Sequence, residues 1–205
     1  LTIGGTEDGT TVDVHLSTAI LGGNDIPAAA AGDDLTFTLD RFEIVNLETD
    51  GFNADFTGSS VVARGNKRVA VFTGSEASDA PRFDTLATRQ CCADHLEEQV
   101  FPEDSLGTHF VAVKTPLRSK LVDAAGWDVS IVPDEPEYWR VMATQDPTAI
   151  TTNLPPPNDR FTLGRGASVI IEAERDFLFE ATGPVAVVQV PASQQATGIP
   201  STLPD

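Results

Sequence analysis

The chain of 205 residues has little cysteine, little histidine and no long apolar run. Its two cysteines are adjacent, at Cys91 and Cys92, which leaves a vicinal disulfide or two free thiols as the alternatives. No apolar run approaches the roughly 20 residues of a membrane-spanning helix, so we expect no membrane insertion. The chain begins at Leu1 without a methionine, as we expect of a processed product or a piece of a longer protein.

Basic residues are also scarce. Thirteen Lys and Arg stand against 31 Asp and Glu, which gives a formal net charge of −18. A chain of this charge repels phosphate backbones, so we expect no nucleic-acid partner. An acidic surface with only three lysines suits a saline or extracellular setting.

What the sequence does contain is a series of short strand-like segments. Hydrophobic residues make up 40% of the chain, enough for a buried core. β-branched and aromatic runs with period-two alternation, each bounded by Gly, Asp, Asn or Pro, predict an all-β, sandwich-like fold. The predicted strands are 1–5, 11–16, 35–47, 60–64, 68–73, 108–114, 138–143, 149–153, 168–173, 177–181 and 185–190.

One short helix is predicted near residues 93–100. The stretch Asp94-His95-Leu96-Glu97-Glu98-Gln99 contains good helix formers, and Pro102 would end the helix. We expect Asp94 to cap this helix by accepting backbone N–H bonds, with Glu97 at the capping-box position. His95 and Glu98 would then tie the turn to neighbouring strands.

A degenerate repeat divides the chain. Thr-x-Asp-x-Thr-x-(Val/Ile) occurs from Thr6 and again from Thr144, and Asp8-Gly9 in the first copy predicts a hairpin turn. We therefore predict a single β-rich domain over 1–190, with repeat-like halves at 1–74 and 137–190 and an insertion at 75–136. Residues 191–205, with few apolar side chains and three prolines, are predicted to be a tail or linker.

No arrangement of residues predicts a catalytic or metal site. No Gly-x-Ser-x-Gly nucleophile motif accompanies the three histidines. Adjacent cysteines chelate one zinc ion poorly, and no second Cys-x-x-Cys is present. Acidic pairs such as Glu97-Glu98 and Asp134-Glu135 follow from the composition, although calcium remains an alternative cofactor because it accepts many oxygen ligands.

Three segments in one order resemble a known family. They are Val69-Ala-Val-Phe72-Thr-Gly74, then Cys92-Ala-Asp94-His95-Leu96-Glu97-Glu98-Gln99-Val-Phe-Pro102, then Leu106-Gly107-Thr-His-Phe110. This pattern resembles the IgGFc-binding protein N-terminal domain family, in a bacterial surface or secreted form. The chain differs at Ser75 and Ala77, where the family usually has His and Cys. The resemblance thus implies that Cys91 replaces a lost partner and closes a vicinal bridge with Cys92.

The resemblance implies an extracellular or cell-surface, non-enzymatic interaction or structural module of an adhesin, fibre or matrix-type protein. Its partner would be a protein or a glycan, and self-assembly into an oligomer or fibre would proceed through exposed sheet edges. The alternatives are a calcium-stabilised, lectin-like carbohydrate binder and a glycoside-active enzyme, for which Trp127 or Trp139 would supply the sugar platform. The resemblance supplies no catalytic residue.

Overall fold

The computed structural model describes residues 1–203. It is mostly β, with 42% of residues in strands and 8% in helices, which confirms the predicted all-β, sandwich-like class. The strands are β1 Thr2–Gly5, β2 Thr10–His15, β3 Asp34–Leu39, β4 Ile44–Asn46, β5 Ser60–Ala63, β6 Val69–Ser78, β7 Asp94–Gln99, β8 Gly107–Ala112, β9 Glu137–Ala143, β10 Thr148–Thr152, β11 Arg160–Leu163, β12 Ser168–Ala173 and β13 Phe177–Pro191. One α-helix, α1, spans Arg118–Ala124, and 3-10 helices lie at Leu86–Thr88, Glu103–Ser105 and Gln194–Thr197.

The chain divides into two compact units. Unit 1 comprises Leu1–Ser75 with Glu97–Pro102, and unit 2 comprises Glu76–Leu96 with Glu103–Asp205. The first boundary falls one residue after the end of the predicted first half, 1–74.

Unit 1 has a sandwich core. The sheet with strand order β3-β2-β5 and the sheet with order β4-β1-β6-β7 contribute side chains to one apolar cluster. Alternate residues of β1 and β2 point inward, as period-two patterning requires. The fully buried members include Ile3, Val12, Val14 and Leu16.

Unit 2 is built around one curled sheet. Its strands run β11-β10-β13-β9-β12, with β8 added along β13. The buried cluster comes almost entirely from the inward face of this single sheet, which therefore encloses its own core as a half-barrel. Phe110 stacks on Phe179 with ring centroids 4.7 Å apart, and Trp139 meets Phe177 edge-on at 5.0 Å.

The predicted helix near 93–100 is wrong. Residues Asp94–Gln99 form strand β7, at the end of the order β4-β1-β6-β7, and the α-helix lies instead at Arg118–Ala124. Good helix formers were outweighed here by pairing with a sheet, because tertiary context overrides a weak local propensity.

The predicted hairpin at Asp8-Gly9 is also wrong. Gly9 does adopt the expected positive φ, at 63°. However, β1 pairs with β4 and β6, whereas β2 pairs with β3 and β5. The turn therefore carries the chain from one sheet of unit 1 to the other.

The two units share one pattern of strand pairing. β1 lies between β4 and β6 as β9 lies between β12 and β13, and β2 lies between β3 and β5 as β10 lies between β11 and β13. Even the register agrees, because Thr10 faces Leu39 and Thr148 faces Leu163. Duplication of an ancestral half remains our prediction, and this shared pattern supports it.

The C-terminal segment, predicted as a tail or linker, packs into unit 2. Ala192, Ser193, Gln194, Thr197 and Ile199 are buried. Two hydrogen bonds join Ser193 to Ala80. The N–H of Ala80 donates to Oγ of Ser193 at 2.8 Å, and the N–H of Ser193 donates to the carbonyl of Ala80 at 2.7 Å. This segment covers part of the outer face of β9 and β13, where Ala80, Tyr138 and Ala192 form a small apolar cluster.

Candidate functional site

The Asp94–Gln99 motif that carries the family resemblance lies on the surface. In β7 only Leu96 is partly buried, and the other five side chains are exposed. Asp94 caps no helix: its Oδ1 accepts a bond from the adjacent N–H of His95, at 2.8 Å. The predicted capping role of Asp94 and Glu97 is therefore wrong, while the proposed ties made by His95 and Glu98 stay predictions.

Cys91 and Cys92 are joined by a disulfide. The bridge lies beside the C-terminal segment, because the N–H of Cys91 donates to Oε1 of Gln195 at 2.8 Å and the N–H of Gln195 donates to the carbonyl of Cys91. These bonds place the residues that follow the bridge against the 3-10 helix at Gln194–Thr197.

A cavity of about 360 Å³ opens at this place in unit 2. The segment Cys92–Leu96, the end of β13, α1 and the C-terminal segment line it. Its walls are mainly apolar, and the apolar side chains include Ala80, Leu96, Val122, Val190, Pro191 and Ile199. Its polar lining includes Asp94, Arg118, Ser193 and Gln194. Its volume lies at the lower end of the range of about 300–1,000 Å³ for small-molecule pockets.

Gln194, which lines the cavity, has one buried polar atom without a hydrogen-bond partner among the described residues. The side chain is 5% exposed, and its Nε2 donates to the carbonyls of Pro200 and Leu203 at 3.0 and 3.1 Å. Its Oε1 is buried and has no donor within residues 1–203. A buried acceptor without a donor costs roughly 1–3 kcal/mol of folding free energy.

Two buried carboxylates hold the wall that carries Arg118. Glu135 accepts the N–H groups of Arg118 and Ser119 at its two oxygens, both at 2.7 Å, and so caps α1 from outside the helix. Glu137 accepts from the N–H of Thr115 at 2.8 Å and from Nε2 of Gln189 at 2.9 Å. The sequence identified Asp134-Glu135 only as an acidic pair. No local pattern shows that Glu135 accepts a hydrogen bond from Ser119 of α1, sixteen residues earlier in the chain.

Tyr138 lies beside the cavity wall, packed with Ala80 and Ala192. Burial raises the pKa of its phenol to about 12, and the negative charge of Glu172, its register partner on β12, adds to the shift. The phenol is therefore neutral at ordinary pH.

A second surface feature is the outer edge of β8. The strand pairs with β13 on one side, and no strand of the described chain pairs with its other side. Val111 is 68% exposed on its outward face, and Val113, just beyond the end of the strand, is 55% exposed. Leu178, the register partner of Val111 on β13, is 52% exposed. Sequence patterning found the strand but could not show that it ends a sheet.

The two tryptophans predicted as sugar platforms differ in their exposure to solvent. Trp139 is 1% exposed in the core of unit 2, so it cannot stack on a surface sugar. Trp127 is 47% exposed. Across residues 1–203, no three His, Cys, Asp or Glu side chains gather as a metal site would need.

Comparison with known proteins adds the family. The family model described as IgGFc binding protein matches residues 1–203. The chain belongs to the IgGFc-binding family. No curated protein and no solved structure matches it.

Membership of the IgGFc-binding family confirms the resemblance and indicates an extracellular, protein-binding module from a family of binding domains. The bacterial surface form remains a prediction. Within the part that the structure describes, no helix has the length and apolarity to cross a membrane. The segment Cys92–Leu96, within the motif on which the resemblance rests, lines the cavity of unit 2.

Proposed function

We propose that this chain is a non-enzymatic structural module of an extracellular adhesin, fibre or matrix protein, and that it assembles with a second copy of itself through β8. The observation that carries the proposal is the open, apolar edge of that strand. An unpaired edge presents a row of backbone N–H and C=O groups that another strand can complete.

Within the sheet of unit 2, β8 differs from the edge strands β11 and β12 in having no Asp, Glu, Lys or Arg side chain. Its outward residues are His109, Val111 and, just beyond its end, Val113. By contrast, the outward faces of β11 and β12 carry Arg160 and Glu172, and charged side chains are the usual means of blocking an edge.

The chain's charge does not prevent this pairing. Two copies with a formal charge of −18 repel one another at low ionic strength, but salt screens charges that are farther apart than about 8 Å at 0.15 M. An antiparallel β8 pair would bring together valines and backbone groups, so no like charges would meet at its centre.

Sedimentation velocity of the purified chain tests the proposal. Val111→Lys places a charge on the edge, and Leu121→Lys is the matched control because Leu121 is 58% exposed and lies on the helix α1. We expect concentration-dependent dimers over about 1–500 µM, stronger at about 0.5 M NaCl, in the parent chain and in Leu121→Lys. Val111→Lys should remain monomeric.

A parent chain that stays monomeric at both salt concentrations would refute assembly through β8. The same conclusion follows if Val111→Lys and Leu121→Lys associate equally, because the two variants gain the same charge.

Calcium binding also remains a proposal. It predicts a higher melting temperature when calcium is added and the reversal of that shift by a chelator. An unchanged melting temperature at millimolar calcium would remove this alternative, and with it the lectin-like form that depends on calcium.

A further inference from the structure

Two Asp-Gly pairs occur in the chain, at Asp8-Gly9 and at Asp50-Gly51. An aspartate followed by glycine can rearrange, because glycine has no side chain to hinder attack of its backbone nitrogen on the aspartate carboxyl. The attack also requires that the nitrogen and the carboxyl can approach each other. The hydrogen bonds at each pair therefore decide how readily it reacts.

Hydrogen bonds hold both reacting groups of Asp8-Gly9. The N–H of Gly9 donates to Oδ1 of Asp40 at 2.7 Å, and Oδ1 of Asp8 accepts from the N–H of Arg41 at 3.0 Å. Nζ of Lys67 also donates to the main-chain carbonyls of Asp8 and Gly9, at 2.6 and 2.9 Å. Attack of the Gly9 nitrogen on the Asp8 carboxyl therefore requires that these bonds break first.

The reacting groups of Asp50-Gly51 have no hydrogen-bond partner in the part of the chain that the structure describes. Both residues are exposed, in the loop between β4 and β5. The loop is held by groups that the reaction does not use. The N–H of Asp50 donates to the carbonyl of Ala19 at 2.9 Å, and the carbonyl of Gly51 accepts from the N–H of Ala54 at 3.3 Å.

The surroundings of Gly51 are also open. Gly51 has a φ of 141°, a conformation that glycine adopts without cost. Outside its chain neighbours, only Cβ of Ala54 lies within 4 Å of the place where a Cβ on residue 51 would stand, at 3.6 Å. The carboxyl of Asp50 therefore meets little obstruction beside the nitrogen of Gly51.

We propose that Asp50 is a modification site, at which aspartate isomerises to isoaspartate. The nitrogen of Gly51 attacks Cγ of Asp50 and loses its proton, a carboxyl oxygen leaves as water, and a cyclic succinimide forms. Water then adds at either ring carbonyl. Addition at Cγ restores aspartate, whereas addition at the main-chain carbonyl breaks its bond to the Gly51 nitrogen and leaves the chain running through Cγ.

The product has the same mass as the parent chain and a backbone that is longer by a methylene group. An exposed loop accommodates such a change more easily than a strand does. The main-chain carboxylate that is freed at residue 50 is the group that isoaspartyl-specific methyltransferases methylate. Methyl transfer to the chain is therefore a direct readout of the modification.

Ageing of the full chain at physiological temperature and neutral pH tests the proposal. Trypsin places the two pairs on different peptides, 1–41 and 42–64, and chromatography with fragment mass spectrometry locates the isomers. In the folded chain, isoaspartate should form at residue 50 at least about tenfold faster than at residue 8, where hydrogen bonds must first break. In urea, which unfolds the chain, the two rates should be similar.

Variants separate the two pairs. Asp50→Glu should remove most of the methyl transfer, because glutamate would have to close a larger ring. Asp40→Ala removes the acceptor of the Gly9 N–H and should raise the rate at residue 8 at least about threefold. Asp25→Ala removes an equal charge from an exposed position and should leave that rate unchanged. Melting temperatures near that of the parent chain would show that each variant is folded.

Two results would overturn the assignment. Equal rates at residues 8 and 50 in the folded chain would show that hydrogen bonding does not select the site. Absence of isoaspartate at residue 50 from the folded chain, whatever forms in urea, would show that the loop keeps the carboxyl of Asp50 away from the nitrogen of Gly51.

Discussion

At the scale of single residues, the buried polar side chains of unit 2 act mainly on its backbone. Glu135 and Glu137 are 2% and 1% exposed, and each accepts a backbone N–H from a segment that follows β8. Carboxylates buried in this way are stable because charge-assisted bonds replace their hydration. They therefore position the wall of the cavity that carries Arg118.

Glu135→Ala should destabilise the protein strongly. The substitution leaves the N–H groups of Arg118 and Ser119 without their acceptor, and bonds to charged groups contribute roughly 1.5–3 kcal/mol each. We expect a loss of about 3 kcal/mol in urea denaturation, against almost none for Asp134→Ala at the exposed neighbouring position. Equal effects of the two substitutions would show that Glu135 does not cap α1.

Ionisation of the Tyr138 phenol should lower the free energy of unfolding at alkaline pH. Its folded pKa of about 12 lies above the ordinary value of 10.0, so the native state holds the phenolic proton more tightly than the unfolded chain does. This contribution is fully present below about pH 10 and is lost as the pH rises towards 12. The difference in stability between the parent chain and Tyr138→Phe should therefore change over this window by on the order of 2 kcal/mol. A constant difference from pH 9 to pH 12 would show that the phenol is not perturbed.

At the scale of secondary-structure elements, the turn between β1 and β2 in unit 1 and the turn between β9 and β10 in unit 2 contain the same hydrogen bond. Thr10 donates its hydroxyl to the carbonyl of Glu7 at 2.7 Å, and Thr148 donates to that of Gln145 at 2.9 Å. Both threonines are fully buried. The bond spans three residues in each case, although the turn sequences are Asp8-Gly9 and Asp146-Pro147.

Thr10→Val and Thr148→Val should therefore have similar costs. Each removes one buried hydroxyl bond and keeps the shape of the side chain, so we expect a loss of about 1–2 kcal/mol in each variant. Thr151→Val, at an exposed position of β10, is the control and should be nearly neutral. A clear loss in only one of the two buried variants would argue against equivalent turns and would weaken the case for duplication.

Most strands were predictable because their patterns are local. Thr10–His15 and Phe177–Ala181 alternate buried and exposed residues, which period-two patterning detects. Strand β11, Arg160–Leu163, was missed. Strand β7 was missed because its residues favour a helix when sheet pairing is not considered. The cavity was not predictable, since Asp94, Arg118 and Gln194 are brought together only by folding.

At the scale of the whole molecule, the proposed self-assembly depends on the unpaired edge of β8. The acidic surface keeps separate molecules apart, whereas β8 offers backbone groups and valines with no acidic or lysine side chain between them. A module of this kind can remain soluble at low salt and concentration and assemble where salt screens its charge.

Amide hydrogen exchange at two protein concentrations tests this claim most directly. The account predicts that raising the concentration from about 5 µM to about 500 µM at physiological salt slows exchange in Gly107–Ala112, and that exchange elsewhere stays unchanged. In Val111→Lys this added protection should disappear. Exchange in β8 that is independent of concentration, or added protection confined to another strand, would contradict the account.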